Sequence, residues 1–142
     1  MILLNAISYL VALLIFVVID LVWLTWVGGP VYRQSLGDIL LSTIRMQPGV
    51  AFYLIYPLGL VVYAIHPAMS GSSLAATLLA GAMFGFFTYA TYDLTNFATL
   101  RNWTMTVTLM DIGWGCVLGA VTAAATVVVT QALGNLFGLT AN

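Results

Sequence analysis

Polar residues are sparse along this chain and cluster between long apolar runs. The first run spans Leu3 to Val27 and closes at Gly28-Gly29-Pro30. The second spans Pro48 to His66 and closes at Pro67; the third spans Ser73 to Leu100; the fourth begins at Trp103 and continues to about Gln131 or beyond. Each holds the roughly 20 apolar residues that a helical bilayer crossing needs. The pattern predicts an all-α integral membrane four-helix bundle of up-down topology, one transmembrane domain over residues 1–142. The fourth run is long for one crossing, so it is expected to tilt, bend or protrude, with Gly113, Gly115 and Gly119 as candidate bend points. Met1 to Val18 lacks a positive leading segment and a small-x-small cleavage site, so it reads as a retained helix.

The link between the first two runs has its own periodicity. Val31, Tyr32, Leu36, Ile39, Leu40, Ile44 and Met46 recur at helical spacing, with Arg33, Gln34, Asp38, Ser42 and Arg45 between them. This predicts a short amphipathic helix over about 31–46, lying in the headgroup layer. It would serve as a surface anchor or as a lid over a cavity beneath it.

Composition agrees with the pattern. Hydrophobic residues make up 63% of the chain and charged residues 5%, against about a quarter charged in soluble domains. A net charge of −1 offers no basic surface for nucleic acid. Cys116 has no second cysteine to pair with, and one Cys with one His gives no metal-ligand spacing. No cofactor is expected.

The arginines are placed unevenly. Arg33 and Arg45 lie between the first and second runs and Arg101 between the third and fourth, while the 67–72 link has none. In an up-down bundle these two Arg-bearing links share a side, which the positive-inside rule makes cytoplasmic. Both termini then face out. Trp26 and Trp103 fall at the expected cytoplasmic boundary as interfacial anchors, and His66 at the far end of the second run reads as solvent-facing.

Of the four acids, three lie inside apolar runs: Asp20, Asp93 and Asp111. An ionisable residue at membrane depth is costly and marks a functional site by default. Asp20 is seven residues before Val27, Asp93 seven before Leu100, and Asp111 eight after Trp103. At about 1.5 Å per residue, each sits roughly 10–12 Å inside the cytoplasmic boundary. Asp93 and Asp111 flank Asn102 by nine residues each, so a tight hairpin brings them level.

Their neighbours repeat. Asp20-Leu-Val-Trp23 and Asp111-Ile-Gly-Trp114 are both D-x-x-W, and Asp93-Leu-Thr-Asn96 places an amide at the same offset. Residues three apart share a helix face. At the matching depth of the second run stand Tyr53, Tyr56 and Pro57, and Pro57 removes a backbone donor. The expected site is a polar pocket with Asp20, Asp93 and Asp111 as floor or wall, lined by Tyr56, Tyr92, Asn96, Trp23 and Trp114. Burial and mutual repulsion both disfavour three charges there. Gly81/Gly85 and Gly115/Gly119 form G-x-x-x-G pairs on the third and fourth runs, the spacing for close helix approach.

A bland reading stands beside this one: carboxyls that glue helices through Trp, Tyr and Asn. Interhelical hydrogen bonds contribute only about 0.6–2 kcal/mol each. Burying an acid costs about 2.5–3.5 kcal/mol on insertion scales. Three acids exceed what gluing needs.

Three runs carry a family resemblance. Asp20-Leu-Val-Trp23-Leu24 with Tyr32-Arg33 and Leu36-Gly37, then Thr91-Tyr92-Asp93-Leu94-Thr95-Asn96 with Ala98-Thr99-Leu100 and Trp103, then Asp111-Ile-Gly-Trp114-Gly115, resemble the bacterial membrane-protein family known as domain of unknown function 2177. The resemblance spans nearly the whole chain. It implies a small, multi-pass bacterial inner-membrane protein, and it implies no catalytic assignment.

Three functional classes follow from the residues. The acid cluster could bind or transport a small cation, a proton or an amphiphile; four spans make a thin wall, so a homodimer would be expected. A membrane enzyme acting on lipid is the alternative, with Asp as general acid/base or with the carboxylates and Asn96 around a hard cation such as Mg²⁺. Arg33, Arg45 and Arg101 could then grip lipid headgroups. The third class is an accessory subunit of a larger membrane complex.

Overall fold

The protein's computed structural model describes residues 2–139, with the side chains of Ile2 and Asp38 left undescribed. Met1 and residues 140–142 of the expected single domain lie outside the described residues. The first helix, α1, covers Ile2–Trp26 and a second, α2, covers Gly28–Leu36. Helix α3 covers Met46–Met69, α4 Leu74–Thr99 and α5 Met105–Leu136. The chain is all-α, and α1, α3, α4 and α5 are long and apolar enough to cross a membrane.

On α1 the buried positions recur every fourth residue: Leu4, Ser8, Ala12, Phe16 and Asp20. Leu10, Leu14 and Val18 on the other face are exposed. This is the reverse of a soluble helix's economy, because a lipid-facing surface can be as apolar as a core.

The ends of the helices follow from their caps. Ser73 accepts from the Ala76 N–H and Thr104 from the Val107 N–H. Each hydroxyl satisfies one of the orphan donors at a helix start. The third and fourth helices therefore begin at Leu74 and Met105, just inside the expected Ser73 and Trp103. The fourth runs on to Leu136, beyond Gln131.

Two expected punctuation marks act differently. Gly28-Gly29-Pro30 opens α2 rather than merely ending α1. Proline fits a first helical turn, where its missing N–H is not needed. Pro67, expected to end the second span, lies within α3, which continues to Met69. A π-helical turn over Val61–Ile65 precedes it, and the His66 N–H reaches back to the Val61 carbonyl. The widened turn loosens the ladder that a helical proline would otherwise break.

The amphipathic helix expected over 31–46 is shorter and starts earlier. After α2 comes one 3₁₀ turn, Gly37–Ile39, and the backbone is already extended at Leu40. Gly37, Ser42 and Thr43 are poor helix formers, which is why the periodic pattern does not carry a helix across them.

The tightest packing joins α4 and α5. A Cβ on Gly85 would collide with the Gly115 carbonyl, and one on Gly81 with that of Gly119. The two G-x-x-x-G pairs thus face each other with their backbones in contact. Gly115 and Gly119, expected as bend points, are spent on this approach, while Gly113 meets nothing. Helix α1 packs against α5 on another side. Phe16, Tyr56, Leu60, Ile65 and Leu118 fill the centre.

Candidate functional site

All three membrane-depth aspartates are buried: Asp20 at 5% exposure, Asp93 at 0% and Asp111 at 6%. They meet through aromatic hydrogen-bond donors. The Asp20 carboxyl accepts from the Tyr53 hydroxyl at 2.7 Å and from the Trp114 indole N–H at 3.2 Å. The Asp111 carboxyl accepts from the Tyr32 hydroxyl. Tyr32 in turn accepts from the Trp23 indole N–H at 3.2 Å. The two indoles stack face to face, with centroids 4.3 Å apart and planes within 4°.

The two D-x-x-W repeats therefore exchange partners. Trp114, three residues after Asp111, serves Asp20. Trp23, three residues after Asp20, serves Asp111 through Tyr32. Sharing a helix face brings each Asp and its own Trp to one seam. Across that seam each indole finds its acceptor on, or by way of, another helix. A buried indole N–H requires such an acceptor.

Asp93 differs from the other two. Neither of its oxygens has a hydrogen-bond donor among the described residues. The Asp111 carboxyl is close enough to act on it electrostatically. Two carboxyls in contact bond only when a proton is held between them. Gly85 against Gly115 sets the closeness of the two helices that carry Asp93 and Asp111.

Helix α2 delivers the partner that sequence reasoning missed. The sequence pattern makes Tyr32 one apolar position of a surface helix. Helix α2 begins two residues after α1 ends, and its Tyr32 reaches both Trp23 of α1 and Asp111 of α5. A Cβ on Gly28 would strike the Trp23 indole, so a larger residue there would have to displace the ring from its stack on Trp114. Burial, and then the Asp111 carboxyl, push the Tyr32 phenol far above its ordinary pKa, so it acts as a lasting donor. The usable signal was Gly28-Gly29 directly before a Tyr at a helical offset.

The remaining expected lining residues divide. Tyr56 is buried but stacks on Phe16 at 4.7 Å, and its hydroxyl has no partner among the described residues. It belongs to an aromatic layer next to the acids, with Phe84 and Tyr89 edge-on to it. Tyr89, also missed, packs its ring on Gly115. Tyr92 does not line the pocket: it is 59% exposed and meets Trp103 edge-on at 5.6 Å. Consecutive helix residues point about 100° apart, so burying Asp93 turns Tyr92 outward. Asn96 is half-buried and makes no hydrogen bond to the acids.

Arg33, Arg45 and Arg101 are all exposed. Trp103 donates to Thr108 at 3.1 Å, while Trp26 stays exposed. His66, expected to face solvent alone, is half-buried and lies 3.3 Å from the Asn5 amide oxygen. Among the described residues no three His, Cys, Asp or Glu side chains converge in a metal-binding arrangement. The Asp20 carboxyl is held by Tyr53 and Trp114.

Four long apolar helices around a carboxyl, indole and phenol network define a multi-pass membrane protein with an intramembrane acid cluster. The chain belongs to the family described as predicted membrane protein (DUF2177), whose model matches residues 5–128. That stretch includes all three acids, both tryptophans of the stack and Tyr32. Comparison with curated proteins and with solved structures finds no match.

Proposed function

We propose that this protein binds and exchanges protons at the Asp93–Asp111 pair, coupled to the binding or passage of a small cation or amphiphile. The observation that carries this reading is Asp93 itself: fully buried, with no donor to either oxygen and a second carboxyl beside it. A structural acid would be expected to have donors, as Asp20 does. Ionisable residues that face a bundle interior within the membrane mark ion pathways and proton relays.

In this reading the protein is an up-down bundle in a bacterial inner membrane. The Arg-bearing links face the cytoplasm, the termini face the periplasm, and the acids sit in the cytoplasmic half. Helix α2 lies at the cytoplasmic interface and closes the chamber through Tyr32. Two copies would thicken the wall of any transport path.

Reconstitution into vesicles loaded with a pH-sensitive dye tests the proposal. An imposed membrane potential should drive proton uptake by the wild type, and Asp93→Asn should reduce uptake to that of empty vesicles. Uptake in Asp93→Asn equal to wild type, or none in the wild type, would overturn it.

A second reading rests on α2. Arg33 is exposed and adjacent to Tyr32. A lipid headgroup held by Arg33 would thus lie one residue from the phenol bonded to Asp111, which suits an enzyme or sensor acting on lipid. Headgroup-dependent binding of vesicles by the wild type and its loss in Arg33→Ala would favour it.

A further inference from the structure

Helix α3 is packed at one end and nearly bare at the other. From Leu60 onward it buries Leu60, Val61, Ala64, Ile65 and Ala68. Phe84 of α4 lies against Gly59 and stacks on Tyr63. Helix α4 meets α3 chiefly at the π turn and past it. From Met46 to Ile55, in contrast, every residue except Gly49 and Tyr53 is exposed, and those two are half-buried. Helix α1 carries its buried stripe much further, every fourth residue from Leu4 to Asp20.

The two halves of α3 join where the helical ladder is weakest. Pro57 has no N–H to give the Tyr53 carbonyl four residues back. Four residues further on, the π turn Val61–Ile65 begins. Prolines and π turns are recognised causes of sharp helix kinks, and π turns gather at functional sites. Pro57 itself is fully buried. The bend point is thus fixed in the bundle, while the arm before it is not.

The ties that hold the arm all reach α1. Tyr53 donates to the Asp20 carboxyl at 2.7 Å. The Phe52 and Tyr53 rings meet Phe16 edge-on at 5.8 and 5.7 Å. The Tyr9 hydroxyl donates to the Leu54 carbonyl at 3.1 Å, close to the bend. A segment with so few buried contacts opens locally at low cost. Hinged closures work in this way, with a few residues absorbing the change for a rigid arm.

We infer that Met46–Ile55 is a hinged gate beside Asp20: bending at Pro57 and the π turn lifts Tyr53 from the Asp20 carboxyl and uncovers it. Asp20 then keeps the Trp114 indole as its donor. At about 1.5 Å per residue the arm is about 15 Å long, so a further bend of about 20° carries its free end about 5 Å. The gate would serve the acid site proposed above. Its hinge and latch are read from α3 and α1, and they do not depend on proton exchange at Asp93.

Spin-label distances test it. In a Cys116→Ala background one nitroxide pair joins the arm to α4, at Val50→Cys and Leu94→Cys. A second pair joins the packed half to α4, at Val62→Cys and Leu79→Cys; all four positions are exposed. Double electron–electron resonance in lipid nanodiscs compares Tyr53 with Tyr53→Phe, which keeps the ring and removes the latch. In Tyr53→Phe the arm pair should gain a population shifted by about 5 Å, while the packed pair stays as it was. Adding Pro57→Ala restores the missing N–H and should return the arm pair to its original distance. An arm pair that Tyr53→Phe leaves unchanged would overturn the gate. Equal shifts in both pairs would also overturn it, since they mean a loosened bundle without a hinge. A shift that persists with Pro57→Ala places the motion elsewhere and overturns it too. No proton is counted in these measurements, so failure here is distinct from failure at the acid pair.

Discussion

Trp23 and Trp114 stack face to face, 4.3 Å between centroids, although 91 residues of sequence separate them. The stack joins two hydrogen-bonded arms. One runs from Trp114 to Asp20 and Tyr53, the other from Trp23 through Tyr32 to Asp111. Replacing Trp114 with Phe keeps an aromatic face and removes the N–H. Asp20 then keeps Tyr53 alone, and a cost of about 1–3 kcal/mol is expected. Near-ultraviolet circular dichroism should show a coupled indole pair in the wild type, lost in Trp114→Phe and in Trp23→Phe. Retention of the coupled signal in either variant would contradict the stack.

Tyr32 gives a prediction in pH. Its phenol is pushed far above its usual range by burial and by Asp111. Folded and unfolded chains both hold the proton below about pH 10, the ordinary phenol value. Above that pH the unfolded chain ionises first, so this group's contribution to stability is lost as the pH climbs. Tyr32→Phe should be less stable than wild type at neutral pH, since Asp111 loses its donor. The gap should narrow above about pH 10. Denaturation in detergent at several pH values checks this; a gap that widens with pH would contradict it.

The glycine contacts between α4 and α5 predict a contrast within one helix. Gly115→Ala forces a methyl against Tyr89 and the Gly85 carbonyl, whereas Gly113→Ala meets open space. The first should destabilise by about 1–3 kcal/mol, as overpacking does. The second should be neutral or slightly stabilising, since alanine is the better helix former. Thermal melting of the two variants is the measurement, and equal melting temperatures would count against the close approach.

Much of this arrangement was legible in the sequence. The apolar runs fix four long helices because a backbone in lipid must satisfy its own hydrogen bonds. The D-x-x-W repeat marked the seam where the tryptophans meet. What escaped depends on tertiary position. Tyr32 looks like any interfacial aromatic until the fold sets its hydroxyl on Asp111. Tyr92 sits beside Asp93 in sequence yet faces away from it in space, an outcome helix geometry could have supplied. Pro67 appeared to end a helix because the π turn before it leaves no mark in composition.

The most direct test of the account is infrared spectroscopy of the carboxyl groups in protein carrying isotope-labelled aspartate. A hydrogen-bonded pair with one proton between Asp93 and Asp111 should give a protonated-carboxyl band. That band should disappear or shift in both Asp93→Asn and Asp111→Asn and persist in Asp20→Asn. A spectrum without the band, or one that Asp93→Asn leaves unchanged, would contradict the shared proton and with it the proposed site.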